Sequence, residues 1–297
     1  MSDRLRWHQA LPGGTDLPVL LPGAARLAQA ARAERNAGNF MLRLRAEHGV
    51  ALFVVFLIAC GAAQAQGAAG GPSIFETIWK WTPLLLTGFA FNLVISASAM
   101  LIGTLAGMFL GFAQISLHAS VRKGAWFTTH FFRNAPWLVL LFYCMFLLPF
   151  QVTVFGVTFP IPDWLKATFG LSLPVMANVS EIMRGALQSI PTAQWESAAS
   201  LAFTRRQTMW QIILPQCIKR MLPPWMNLYA ILTMATVLTS IVGVAEVMTL
   251  TARVLSAENR QGLLLPFYSC VLLLFFMYCY PIARWTVRLE AKYAIER

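Results

Sequence analysis

Glu181 and Arg184 stand one helical turn apart in a stretch that is otherwise largely apolar. A carboxylate and a guanidinium at that spacing pair with each other, which lowers the cost of placing either charge in lipid. With Asn178 and Ser180 beside them, they offer a polar lining for a zwitterionic solute. The plainer reading is an ion pair that anchors a helix end at a membrane rim. Further along, Asn227, Thr233, Thr236, Thr239 and Ser240 give a second stretch a mildly polar face, with Glu246 near its far end. Hydroxyls in membrane helices commonly bond back to their own helix or a neighbour. The pathway candidates are therefore Asn178, Ser180, Glu181, Asn227 and Thr236.

Nothing in the chain supports covalent chemistry. The five cysteines are scattered, form no Cys-x-x-Cys pair and have no histidine at zinc spacing, so they read as small apolar packing residues. No Gly-rich phosphate loop ending in Lys-Ser/Thr occurs, which excludes ATP binding by that route. No Ser/His/Asp set or metal-ligand set converges on one stretch. No cofactor and no metal is expected.

The elements that must carry these residues are membrane helices. The chain is 58% hydrophobic and 12% charged, against roughly 25% charged in soluble domains. No charge occurs between residues 81 and 121, 134 and 162, 221 and 245, or 261 and 283. Each run exceeds the roughly 20 apolar residues that cross a bilayer as a helix. The formal charge of +11 borders these runs, so it speaks for membrane orientation and not for nucleic acid. Residues 1–40 read as disordered or as an over-extended N-terminal extension, with Met41 as an alternative start. Residues 41–66 combine a basic flank, a short apolar centre and small residues, the anatomy of a signal peptide or an N-terminal anchor helix. Residues 67–82 form a linker and interfacial segment, 83–289 the membrane domain, and 290–297 a tail. Gly103, Gly107 and Gly111 make a small-residue stripe for close helix packing in the first core helix. Residues 116–133 read as a polar loop, 136–150 as a second helix, and 151–160 as a small hairpin. A third helix runs from 163 to about 189, and Pro223-Pro224 marks the entry to a fourth. Lysines and arginines concentrate in the loops that contain Arg122, Arg205, Lys219 and Arg284, which places those loops and the C-terminus on the cytoplasmic side.

One cytoplasmic segment, 189–222, is too well patterned for a connector. Ser189 and Pro191 supply a helix start, and Ala193, Ser197, Ala198, Ala199 and Ala202 leave one face with almost no side-chain bulk. Such a face lets another surface approach the backbone closely, so this segment is the part another protein grips.

Glu196-Ser-Ala-Ala-Ser-Leu-Ala202 followed by Ile213-Leu-Pro-Gln216 resembles the EAA loop of bacterial ABC importer permeases. Phe132-Arg-Asn-Ala-Pro136, Glu181-Ile-Met-Arg-Gly185, Gln188-Ser-Ile-Pro191, Pro223-Pro224 with Asn227, and Ile241-Val-Gly-Val-Ala-Glu246 narrow the resemblance to permeases for polar amino acids and opines. The resemblance implies an all-α polytopic membrane protein with a five-helix ABC importer permease core, the MetI-like type I importer fold, in the bacterial inner membrane. It also implies a cytoplasmic ABC ATPase dimer, a periplasmic amino-acid-binding protein, and a second permease copy or paralogue as partners. ATP hydrolysis would belong to the ATPase, with Gln194, Glu196, Ser197, Ala198, Ala199, Leu201, Ala202 and Arg205 in the coupling surface. Four departures stand out: Ala193 and Ala202 replace the family's usual glycines, Met234-Ala-Thr-Val237 replaces a polar run, and Leu140 replaces a common Gln. Losing the glycines predicts a differently bent loop, and the other changes a more apolar pathway. An opine or another amino-acid derivative is the alternative cargo, and a non-transporting membrane scaffold the rival class.

Overall fold

A computed structural model describes residues 73–154 and 157–293, all within one of the chain's two compact units, 69–297. The expectations for residues 1–72 lie outside the described residues. Helix α1 spans Ile74–Gln114 and begins nine residues before the expected start at 83. The reason is local: Ser73 accepts from the Glu76 amide while Glu76 reaches back to the Ser73 amide, a reciprocal cap. Pro83 lies inside the helix instead of opening it. At 41 residues α1 is about 60 Å long, twice the thickness of a bilayer core.

Residues 116–133, expected as a polar loop, instead contain helix α2, Ala119–Asn134. Helix α3, Trp137–Leu147, follows after a bend of 106° at Pro136, whose ring cannot continue the preceding helix. Strands β1 (Gln151–Val154) and β2 (Val157–Pro160) form the expected hairpin, antiparallel with Val152 opposite Phe159. Helix α4, Asp163–Gln188, is the centre of the bundle, packing on α1, α2 and α3. Short helix α5 is Thr192–Ser200. Helix α6, Arg205–Ser240, starts at Arg205 and not at Pro223-Pro224, with a π turn over Thr208–Ile213 and a 3-10 end over Thr236–Ser240. Thr204 and Gln207 cap its start reciprocally, so the connecting segment is shorter than 189–222 suggested. Helices α7 (Val247–Glu258) and α8 (Leu264–Tyr293) complete the chain.

Among the described residues, α1, α6 and the segment Gln261–Lys292 are long and apolar enough to cross a membrane, and the bent pair α2–α3 makes a fourth if taken as one span. Helix α4 is long enough, about 39 Å, but Lys166, Asn178, Glu181 and Arg184 dilute its apolarity. It needs less, because its neighbours cover it. Ile95, Met100, Leu141, Leu171, Val175 and Leu232 form one core around it. A second core joins Leu85 and Phe89 of α1 to Val247 of α7 and Phe267, Val271 and Phe275 of α8.

The glycine stripe packs where its spacing implies. A Cβ at Gly103 would lie 2.5 Å from Val175 Cγ1, one at Gly107 2.6 Å from the Met176 carbonyl, and one at Gly111 2.8 Å from Met183 Sδ. The partners Val175, Val179 and Met183 repeat every four residues on α4, so two small-step ridges run side by side.

Candidate functional site

The segment between α4 and α6 is built on a small apolar footing. Ile190, Ile213, Leu214 and Cys217 are buried together with Met183 and Leu187 of α4, Trp195 of α5 packs against them, and Ala198 is buried as well. Polar contacts lock the same footing: Arg220 donates to the backbone and hydroxyl oxygens of Ser189, and Gln216 Nε2 donates to Gln194 Oε1 at 2.9 Å. Helix α5 is therefore held from beneath by α6. Its outer side is open: Gln194, Glu196, Ser197, Ala199, Leu201 and Ala202 are exposed, as is Arg205 at the start of α6. Leu201 is 71% exposed, and no described residue covers it. A shallow groove of about 460 Å³ runs along this side, lined by Pro191, Ala193, Gln194, Ser197, Ala198, Leu201 and Ile212.

Helix α5 ends with Ala202 at φ +58°, a left-handed conformation. The Phe203 amide bonds to the Ala198 carbonyl at 3.1 Å and the Ala202 amide to the Ala199 carbonyl at 3.0 Å. This is the paired closure that usually employs glycine. The bend expected to change with the loss of glycine is thus kept, because those two bonds satisfy carbonyls that would otherwise be orphaned.

The five pathway candidates do not converge. Ser180 is buried, accepting from Gln114 Nε2 at 2.7 Å, with Thr129 Oγ1 3.2 Å away. Thr236 is buried too, donating to the Thr233 carbonyl and accepting from Asn92 Nδ2 at 2.9 Å. Asn178 Nδ2 donates to the Pro174 carbonyl at 2.8 Å, and Asn227 is exposed on α6. Glu181 pairs with Arg184 through two hydrogen bonds and lies 3.6 Å from Arg133 of α2. The anchoring reading of that pair thus gains a partner that the sequence spacing could not supply. A groove of about 870 Å³ opens between α2, α3 and α4, lined among others by Leu140, Tyr143, Cys144, Phe169 and Leu173. Its wall is almost wholly apolar, and none of the five candidates lines it.

Two constellations were missed from sequence. Asn92 Nδ2 donates to Glu246 Oε2 at 2.8 Å, its Oδ1 accepts from the Val247 amide at 3.2 Å, and Glu246 Oε1 caps α7 through the Met248 and Thr249 amides. This buried node ties α1, the end of α6 and the start of α7. At the far end of α7, Trp81 Nε1 and Lys80 Nζ donate to Glu258 Oε1 at 2.7 and 3.0 Å. The indole first and the lysine second hold the Glu258 carboxyl below its ordinary range. The i to i+3 cap signal precedes α7, but the partners on α1 are over 150 residues away and no spacing rule reaches them.

Comparison with known proteins returns one consistent picture. Residues 100–280 match the family described as the binding-protein-dependent transport system inner membrane component. The chain is 34% identical to the "Probable amino-acid ABC transporter permease protein YckA" of Bacillus subtilis (strain 168), over 71% of this chain and 90% of that protein. It is 30% identical to the "L-cystine transport system permease protein TcyB" of the same organism, over 64% of this chain and 76% of that one. The crystal structure of an amino acid ABC transporter with histidines superposes with a TM-score of 0.63 at 25% identity, covering 73% of this chain and 98% of that chain.

Proposed function

The chain belongs to the family of binding-protein-dependent transport system inner membrane components, and from that premise we propose that it is the permease subunit of an ABC importer for a polar amino acid. It is a multi-pass membrane subunit that carries no covalent chemistry of its own. The amino-acid cargo is supported by the relatives, whose names refer to amino-acid, cystine and glutamine transport. A separate cytoplasmic ATPase dimer drives it, a periplasmic binding protein delivers the solute, and a second permease, copy or paralogue, completes the pathway. The loops rich in arginine, and the C-terminus with them, face the cytoplasm by the bias of basic residues.

The observation that carries this reading is α5: a short helix seated on α6 and α4, with an open, small-faced outer side and an uncovered Leu201. A push on such a helix passes to both membrane helices as a rigid motion, which is what coupling to an ATPase requires. Gln194, Ser197, Ala198 and Leu201 shape the docking groove, Glu196, Ala199 and Arg205 flank it, and Ala202 fixes where the helix ends. Asn178, Glu181 and Asn227 remain pathway residues in this reading, while Ser180 and Thr236 shape the pathway by holding helices in place. Reconstitution with the cognate ATPase and binding protein tests it. Glu196→Lys reverses an exposed charge that forms no ion pair among the described residues, so the fold should persist while ATP-driven amino-acid uptake falls at least about tenfold, the effect of a coupling loss near 1.4 kcal/mol. Unchanged uptake by that variant would remove the coupling role.

A further inference from the structure

Helix α2 has two exposed sides of different chemistry. Ala125 and Thr129 are buried against the bundle. On one flank of that seam, Arg122, Trp126, His130 and Arg133 follow one another at helical spacing. On the other flank lie Phe127 and Phe131, stacked on each other and both more than half exposed. The helix contains three cationic side chains and no acidic one. Arg133 faces Glu181 and Arg122 donates to the Ser116 carbonyl, while Lys123 has no partner among the described residues.

We propose that α2 lies along the membrane surface and binds anionic phospholipid headgroups, with Phe127 and Phe131 in the acyl boundary and Arg122 and Lys123 at the phosphates. Three observations select lipid as the occupant. The helix bends away from α3 by 106°, so the two do not both run along the membrane normal. An apolar arc beside a basic arc, with an exposed Trp126 between cations, is the pattern of interfacial helices. The absence of any acidic residue on α2 makes its charge complementary to anionic lipid. The leaflet is the cytoplasmic one if the orientation proposed above holds, but the binding itself does not depend on that orientation.

The surface is wired to the bundle. Gln114 Nε2 donates to both Thr129 of α2, at 3.0 Å, and Ser180 of α4, and Arg133 reaches Glu181. A lipid held on the outer side of α2 therefore bears on the same α4 that α1 and α6 pack against.

Incorporating a photo-crosslinking benzoylphenylalanine at position 127 of the full chain, in nanodiscs of mixed phosphatidylcholine and phosphatidylglycerol, tests the proposal by mass spectrometry of the adducts. The expected result is a lipid adduct enriched in phosphatidylglycerol over the bulk ratio. In the Arg122→Gln/Lys123→Gln background the enrichment should fall by roughly five-fold or more, with Lys123→Gln alone as the milder check should the pair fold poorly. Both basic residues are exposed, so the melting temperature should stay put. Adducts at the bulk lipid ratio would overturn the proposal. So would adducts only to a second permease copy or to an added ATPase, which would assign the surface to protein instead, or enrichment that survives loss of both charges.

Discussion

Ala202 shows how much one residue's conformation can cost. Its left-handed φ of +58° closes α5, and a side-chain-bearing residue in that region loses roughly 1 kcal/mol relative to glycine. The variant Ala202→Gly should therefore raise stability by about 1 kcal/mol, seen as a higher melting temperature of the purified permease. Ala202→Val should lower it, since a branched Cβ tolerates that region least. A gain from valine would mean that the turn is not left-handed in solution. The sequence singled out this position, because alanine stands where glycine is usual among similar loops. What the sequence could not show is that the hydrogen bonds of Ala202 and Phe203 keep the turn regardless. Ser180 and Thr236 illustrate the opposite case. Their polarity was legible, but their partners Gln114 and Asn92 lie 66 and 144 residues away, so whether they faced a solute or a neighbouring helix was open until the helices were packed.

At the scale of elements, spacing alone marked the glycine stripe on α1, and packing supplied α4 as its partner. Glycines four apart on one helix leave a groove, and only a closely approaching partner can fill it without a void. Two substitutions separate the seam from ordinary helix glycines. Gly103→Ala puts a methyl within 2.5 Å of Val175 and should destabilise by about 1–3 kcal/mol through overpacking. Gly124→Ala, in α2 with nothing within 4 Å, should stabilise by up to about 1 kcal/mol through helix propensity. Thermal unfolding of both in the same detergent checks the contrast, and equal effects would count against close packing at the seam. Helix α2 was the element most misread. Its mixture of bases, aromatics and threonines looked like loop composition, and its amphipathic period shows only when Arg122 and Phe127 are assigned to different sides of one helix.

For the whole molecule, contacts between distant chain ends decide how the outer parts are tied. The clasp of Trp81 and Lys80 on Glu258 links the first turns of α1 to the end of α7. A carboxyl whose folded value is depressed contributes stability that is present above its ordinary value of 4.5 and is lost as pH falls through the depressed value. The melting-temperature gap between the native chain and Glu258→Gln should then stay constant from pH 7 to about pH 5 and close as the pH drops further. A gap that instead closes on raising the pH would show that Glu258 is not held as a carboxylate.

A polytopic membrane protein with a small-faced, patterned segment between α4 and α6 was legible in the residues alone. Long charge-free runs and the ordered motifs are local properties, and the cost of exposing charge to lipid leaves few alternatives. The residues also marked the glycine stripe and the Glu181–Arg184 pair, since both rest on one-turn spacings. Helix packing set the burial of Ser180 and Thr236, the node around Asn92 and Glu246, and the clasp on Glu258. Each of these depends on groups far apart in the chain being brought within hydrogen-bond reach, and only helix packing fixes that distance. The small-faced helix α5 belongs to both accounts: its residues marked it, and helix packing set the footing of Ile190, Ile213 and Cys217 beneath it.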